Sequence, residues 1–160
     1  MNKNKYLDAI FRDITTFGGF VFYCLIMLLA LIFQEFTLFF KLLFGIIFTT
    51  IVIVLIRTFY FKNRPNKQEY GNFIDKIDAS SFPSWHTAKI VFLALIFNYF
   101  FSHNNIFNNN DAKNYLTLLF FITTLLVAYS RIYLKKHDWK DVVGGIVLGM
   151  LTFLLSNLMW

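Results

Sequence analysis

The stretch from Leu42 to Ile56, LLFGIIFTTIVIVLI, contains no charged residue and ends directly at Arg57. A helix that spans a membrane needs roughly 20 mostly apolar residues. Shorter runs reach that length through polar flanking residues and through long side chains that extend to the interface. We expect Lys41 and Lys89 to extend to the interface in this way. The pattern predicts an all-α, polytopic membrane helix bundle with about five transmembrane helices. The other charge-free runs are residues 17–33, 90–101, 115–130 and 142–160.

The composition excludes an ordinary soluble domain. Of the 160 residues, 58% are apolar and 15% are charged, whereas a soluble domain carries about 25% charged residues. We expect the basic residues behind the net charge of +6 to interact with membrane lipids or with a phosphate-bearing substrate. No nucleic acid partner is expected. The single cysteine, Cys24, excludes an intrachain disulfide and a cysteine-based zinc site.

The segment before the first run has an amphipathic pattern. Leu7, Ile10, Phe11 and Ile14 recur with helical spacing, and charged residues occupy the other side. Two positions stay open for this helix, one on the membrane surface and one packed on the protein itself. We expect a single domain over residues 1–160, with an interfacial helix at 1–16 and a transmembrane bundle at 17–160.

Unusual polar residues fall at the ends of the charge-free runs. If each helix reverses direction, these ends lie on one side of the bilayer. The same side receives thirteen of the fifteen Lys and Arg residues, and only Lys41 and Lys113 lie opposite. The polar residues at these ends are Arg57, Ser84, His86, Arg131, His137 and Asp141.

Such a cluster suits a phosphate ester. Arginine binds phosphate oxygens with a planar fork of donors, and a helix start at Ser84 offers free backbone N–H groups. Asp141 follows His137 by four residues, so on a helix its carboxylate can orient the imidazole and leave the other ring nitrogen free to attack. His86 is then available to protonate a leaving group. Taken singly, a helix-end arginine is more often a headgroup anchor, and a first-turn aspartate is an ordinary helix preference.

Three motifs carry a family resemblance. Ser130-Arg131, followed after five residues by His137 and after three more by Asp141, has the spacing of the Ser-Arg-x5-His-x3-Asp motif. Pro83-Ser84-Trp85-His86 is similar to a Pro-Ser-Gly-His motif, and Arg57 with Arg64-Pro65 is similar to Lys-x6-Arg-Pro. On these motifs the chain resembles the type 2 phosphatidic acid phosphatase superfamily over residues 57–160.

The resemblance implies a role for each matching residue. His137 is implied as the nucleophile that forms a phosphohistidine, Asp141 as its orienting carboxylate and His86 as the general acid. No metal or other cofactor is implied. Arg57 replaces the usual lysine and Trp85 the usual glycine, and the Trp85 indole is expected to narrow the pocket, stack on a headgroup or sit at the interface. The implied phosphate-binding groups are Arg57, Arg64, Ser84, Trp85 through its backbone N–H, and Arg131.

The implied function is a membrane-embedded lipid phosphatase. Undecaprenyl diphosphate is placed first among the substrates, with phosphatidylglycerol phosphate, phosphatidate and lipid A phosphates as the others. Two alternatives remain: a lipid phosphotransferase that uses the same site, and a non-catalytic binder or transporter of anionic lipids. The expected location is the bacterial inner membrane with the active site on the extracytoplasmic face, although the excess of Lys and Arg on that face favours the cytoplasm.

Overall fold

The computed structural model describes residues 5–103 and 110–159, and in these ranges the secondary structure is helical, apart from one isolated bridge between Asn63 and Ser80. The expected all-α helix bundle is therefore confirmed. Its elements are α1 (Lys5–Thr15), a 3-10 turn (Thr16–Gly18), α2 (Phe20–Ile32), α3 (Phe36–Phe59), α4 (Phe73–Ala79), α5 (Trp85–His103), α6 (Asn110–Tyr133) and α7 (Trp139–Met159).

The number of helices able to cross a membrane differs from the expected five. Within the described ranges three helices are long and apolar enough, namely α3, α6 from Asp111 onward, and α7. A fourth span arises if α1 with its turn and α2, which meet at a bend of 43°, are counted as one. Helix α5 has 19 residues and is not among these candidates.

Helix α5 packs closely against α7 through two glycines. A Cβ atom on Gly145 would lie 2.6 Å from the carbonyl oxygen of Ser84, and one on Gly149 would lie 2.6 Å from that of Ala88. Side chains at these positions would push the two backbones apart. The glycine pair therefore allows the start of α7 to meet the start of α5.

Helix α1 packs on the protein's own surface. The ring of Phe11 lies 4.3 Å from that of Tyr133 and 5.5 Å from that of Tyr129, both on α6. Tyr6 and Ile10 remain 80% and 50% exposed, which leaves an apolar strip facing outward. The membrane-surface position of α1 stays a prediction that this strip supports.

Lys41 and Lys89 are covered by neighbouring side chains, with exposed fractions of 4% and 3%. Their extension to the membrane interface stays a prediction. The Lys41 ammonium donates to Asn157 Oδ1 at 2.6 Å and lies 4.6 Å from the Tyr99 ring centroid. The Lys89 ammonium lies 5.3 Å from the Trp85 ring centroid. Both lysines face neighbouring side chains inside the bundle because those side chains offer oxygen or aromatic partners.

Candidate active site

A tight turn between α6 and α7 positions His137. Helix α6 ends at Tyr133, and Lys135 takes a left-handed conformation with φ of 54°. The backbone N–H groups of Lys136 and His137 then both donate to the carbonyl oxygen of Arg131 at 3.1 Å. This reversal brings His137 back beside the end of α6 and leaves it 2% exposed.

The first turn of α7 fixes Asp141. Asp138 Oδ1 accepts from the N–H of Asp141 at 3.0 Å, and Asp141 Oδ2 accepts from the N–H of Asp138 at 3.0 Å. This reciprocal pair is a capping box with aspartate in both roles. The same Oδ2 lies 3.6 Å from His137 Nδ1, an ion-pair separation slightly longer than a hydrogen bond. The structure therefore brings together the His137 and Asp141 pair that the sequence indicates.

Lys62 also contacts this carboxylate, and sequence reasoning missed it. Its ammonium lies 2.6 Å from Asp141 Oδ1 and 2.6 Å from Asp138 Oδ2. Its backbone is held by Ser81, whose N–H donates to the Lys62 carbonyl at 2.8 Å, and by Ser80 Oγ, which accepts from the Lys62 N–H at 3.2 Å. Lys62 stands in the spacer between Arg57 and Arg64-Pro65, where the motif specifies no residue type, so the sequence carried no signal for it.

Burial controls the protonation of His137. Burial lowers the pKa of His137, and the charges of Arg131 and Arg64 lower it further, while Asp141 opposes this shift. The net pKa lies below the ordinary histidine value of 6.5. The imidazole is therefore neutral at neutral pH and retains a lone pair. For Lys62, burial alone lowers the pKa, but the hydrogen bonds that its ammonium donates to Asp138 and Asp141 outweigh burial and raise the pKa, so the ammonium stays charged.

Two of the three arginines are held by backbone carbonyls. Arg57 donates from Nη1 to Ile77 O at 3.1 Å and from Nη2 to Pro83 O at 3.0 Å. Arg64 donates to the carbonyl oxygen of Asp78 and lies 3.7 Å from its carboxylate. These bonds tie the end of α3 and the following loop to α4 and to the start of α5.

The third arginine is oriented by α1. Arg131 Nη1 donates to Thr15 Oγ1 at 3.0 Å, and the residue is 7% exposed. The Nε atoms of Arg57, Arg64 and Arg131 are all buried and have no hydrogen-bond partner in the described chain. Three buried donors without an acceptor at one end of the bundle are groups whose hydrogen-bonding capacity an anion would satisfy.

Ser84 begins α5 as the sequence predicts. It is fully buried, and its Oγ accepts from Thr87 Oγ1 at 2.9 Å and from the Thr87 N–H at 3.5 Å. Its own N–H donates to the Asp141 carbonyl at 2.9 Å. This bond joins the starts of α5 and α7. The first backbone N–H groups of α5, which have no partner within the helix, therefore lie on the side of α5 that meets the start of α7.

The Trp85 indole turns into the bundle. It packs against the apolar cluster of Ile53, Ala88 and Leu148, and its Nε1 is buried without a partner. The structure therefore places the half-buried ring against α3 and α7, and its position relative to the membrane interface stays a prediction.

His86 faces the turn between α1 and α2. A Cβ atom on Gly18 would lie 2.9 Å from His86 Cβ and from its carbonyl oxygen. Burial, and then the charges of Arg131 and Lys89, lower the pKa of His86 to about 2, so its imidazole is neutral in the free protein. The charges of His137 and Arg64 act on the pKa of His86 in the same direction.

The fold and site define a membrane-embedded helix bundle with a buried histidine–aspartate pair among three arginines. The chain belongs to the PAP2 superfamily, whose model matches residues 19–160. It is also similar to a putative undecaprenyl-diphosphatase of Escherichia coli K12, YbjG, with 28% identity over 99 residues. That match covers 61% of this chain and 44% of the relative, so the chain spans less than half the length of this curated relative.

Two solved structures share the fold. The LpxE structure of Aquifex aeolicus superposes with a TM-score of 0.73 and 21% identity, covering 99% of this chain and 89% of that one. The PAP2-type phosphatidylglycerolphosphate phosphatase of Bacillus subtilis superposes with a TM-score of 0.78 and 21% identity, covering 99% and 78%. At this identity the likeness shows the fold of the bundle.

Proposed function

We propose that this protein is a lipid phosphatase that hydrolyses a lipid phosphate or diphosphate through a phosphohistidine on His137. The observation that carries the proposal is the buried imidazole of His137. Its Nδ1 lies 3.6 Å from Asp141 Oδ2, and its pKa is lowered from the ordinary histidine value. A neutral imidazole oriented by a carboxylate is a nucleophile at neutral pH.

The first step is attack on phosphorus. Nδ1 faces Asp141, so Nε2 carries the free lone pair and forms the N–P bond. The P–O bond to the lipid breaks, and its electron pair leaves with the oxygen. His86 donates a proton to that oxygen when the leaving group needs one, after the negative charge of the bound phosphoryl group has raised the pKa of His86 from its low value in the free protein. Asp141 stabilises the positive imidazole that forms.

The arginine groups hold the phosphoryl oxygens in this proposal. The buried Nε donors of Arg57, Arg64 and Arg131 have no partner in the described chain, and an unsatisfied buried donor costs about 1–3 kcal/mol. A phosphoryl group removes this cost. Ser84 and the backbone N–H of Trp85 add the positive end of α5. Because carbonyl groups already hold two nitrogens of Arg57, its contribution comes mainly from Nε and its charge.

The second step is hydrolysis of the phosphohistidine. Water attacks phosphorus, the N–P bond breaks and His137 is restored. The proposal assigns no metal and no cofactor to either step. Among the described residues no group of three or more His, Cys, Asp or Glu side chains is arranged so that it could hold a metal ion, and the independence from metal is tested below with a chelator.

Undecaprenyl diphosphate is the first candidate substrate, supported by the name of the Escherichia coli relative. Phosphatidylglycerol phosphate, phosphatidate and lipid A phosphates are the other candidates. We place the protein in the bacterial inner membrane with the site on the extracytoplasmic face. A lipid acceptor in place of water would make the same site a phosphotransferase.

The test is phosphate release from a panel of these lipids by the purified protein in detergent, with Asp141→Asn in parallel. We expect release of inorganic phosphate from at least one lipid and a loss of about 100-fold or more in Asp141→Asn. Phosphorylated lipid products without free phosphate would indicate a transferase. Tight lipid binding without any turnover would indicate a binder and would overturn the proposal.

A further inference from the structure

Lys89 is a buried lysine without a counter-ion among the described residues. It is 3% exposed, and its ammonium makes no hydrogen bond or ion pair there, although the nitrogen atom itself is not among the fully buried, unpartnered atoms. The ammonium lies 5.3 Å from the centroid of the Trp85 ring, and the charge of Arg131 acts on it. Lys41, at the other end of the bundle, is equally buried but donates to Asn157 Oδ1 at 2.6 Å. Burial alone therefore does not leave a lysine of this chain without a hydrogen-bond partner, since Lys41 has one and Lys89 does not.

The Lys89 ammonium lies at the start of α5. Side chains on a helix point toward its N-terminus, so Lys89 reaches back toward Trp85 and His86, one turn earlier. The contact with the Trp85 ring shows this direction directly. The charges of both Arg131 and Lys89 act on His86. The cation therefore stands on the His86 side of the site.

A buried charge is stable only when a ligand or side chain compensates it. The phosphoryl group that His137 attacks already has the arginine donors. An anion at Lys89 must therefore be a second group of the substrate, on the side where the leaving oxygen departs.

We propose that Lys89 binds the phosphate that stays with the lipid, and that the preferred substrate is consequently a lipid diphosphate. The inference rests on the function proposed above. When the bond between the terminal phosphorus and the bridging oxygen breaks, the electron pair and the negative charge pass to the lipid monophosphate. The Lys89 ammonium compensates that charge. A lipid monophosphate instead releases an alkoxide, which needs the proton of His86 and has no phosphate for Lys89.

The test compares a polyprenyl diphosphate with the monophosphate of the same chain, using Lys89→Met and Lys89→Arg. We expect wild type to prefer the diphosphate, and Lys89→Met to lower the ratio of the two kcat/KM values by about 10- to 100-fold, the rate equivalent of a charge-assisted hydrogen bond. Lys89→Arg should restore part of the ratio. Inhibition constants for inorganic pyrophosphate and phosphate give a readout that does not depend on turnover. We expect pyrophosphate to bind more tightly than phosphate to wild type, and Lys89→Met to remove this difference between the two inhibition constants.

Lys41→Met is the matched control, because it removes a buried lysine away from the site. It should leave the substrate ratio unchanged and lower the thermal midpoint, since Asn157 loses its partner. Lys89→Met should keep its thermal midpoint, since it removes an uncompensated charge. Equal losses on both substrates, or an unchanged ratio, would overturn the role of Lys89 while the phosphatase stands. No phosphate release by wild type from either lipid would overturn the proposed function, and the inference with it.

Discussion

At the scale of single residues, the Asp141 carboxylate uses both oxygens. Oδ1 contacts Lys62, whereas Oδ2 accepts from the Asp138 N–H and faces His137. A carboxylate held at both oxygens cannot rotate away, so its orientation toward the imidazole is fixed before substrate binds. Lys62 acts on His137 through Asp141 and is therefore a positioning residue.

Replacing Lys62 should impair catalysis without removing the nucleophile. Lys62→Met frees one oxygen of Asp141, and we expect kcat/KM to fall by about 10- to 100-fold, with partial recovery in Lys62→Arg. Steady-state phosphate release measures this. Lys67→Met is the control, because Lys67 is an exposed lysine of the same loop. Equal effects of the Lys62 and Lys67 substitutions would show that the contact with Asp141 has no role.

The pH dependence follows from the lowered pKa of His137. Protonation removes the attacking lone pair, so activity is lost as pH falls through that pKa. Because burial and the arginine charges lower the pKa from 6.5, the acidic limb of kcat/KM should lie below about pH 6.5. A rate profile between pH 4 and 8 with a lipid substrate checks this. An acidic limb above pH 7 would contradict a neutral, buried nucleophile.

The contacts of Asp141 differ in how far they can be predicted from the sequence. The spacing of His137 and Asp141 predicts their pairing, because four residues make one helical turn. The contact of Lys62 with Asp141 joins residues 79 positions apart. No periodicity encodes such a contact, since it depends on how the loop after α3 folds against the start of α7.

At the scale of elements, the close packing of α5 and α7 keeps the two halves of the site together. The Ser84 N–H and the Asp141 carbonyl join the starts of these helices at 2.9 Å, and Gly145 allows the approach. Gly145 and Gly149 are four residues apart, a GxxxG pattern that is typical of close helix packing. Helix α4 was not expected, because its seven residues lie in a polar connection, where Asn72 accepts from the Asp75 N–H and caps the helix.

Gly145→Ala should loosen this junction. The new Cβ would lie 2.6 Å from the Ser84 carbonyl oxygen, so the backbones must separate, at a cost of about 1–3 kcal/mol. We expect a lower thermal midpoint in detergent and a lower kcat. Gly71→Ala is the control, because no atom lies within 4 Å of its Cβ position. A Gly145→Ala protein as stable and active as Gly71→Ala would exclude a packing role.

Across the whole molecule, the bundle gathers the proposed catalytic groups and most of the described basic residues at one end. The alternation of charge-free runs predicts this gathering. The number of spans is less predictable, because α2, at 13 residues, is short for a span on its own and α5 is not among the three helices that are long and apolar enough. Sidedness is open to experiment, since the basic end favours the cytoplasm under the positive-inside rule, whereas we propose that it faces outward.

A cysteine at Gly71 tests the orientation. Gly71 lies in the loop after Arg64, and its position is open. In a Cys24→Ala background, Gly71→Cys should react with a membrane-impermeant maleimide in intact cells. Asn114→Cys, near the start of α6 at the other end, should react only after permeabilisation. The reverse pattern would place the active site in the cytoplasm.

The most direct measurement is phosphate release by wild type and His137→Ala side by side in excess chelator. The substrate is labelled in its terminal phosphate, and a rapid quench without acid traps any label that is bound to the protein. Wild type should keep its full rate in chelator and carry an acid-labile label on His137. His137→Ala should lose at least about 1,000-fold in kcat and carry no label. Turnover that persists in His137→Ala, or that disappears with chelator, would contradict histidine-based catalysis.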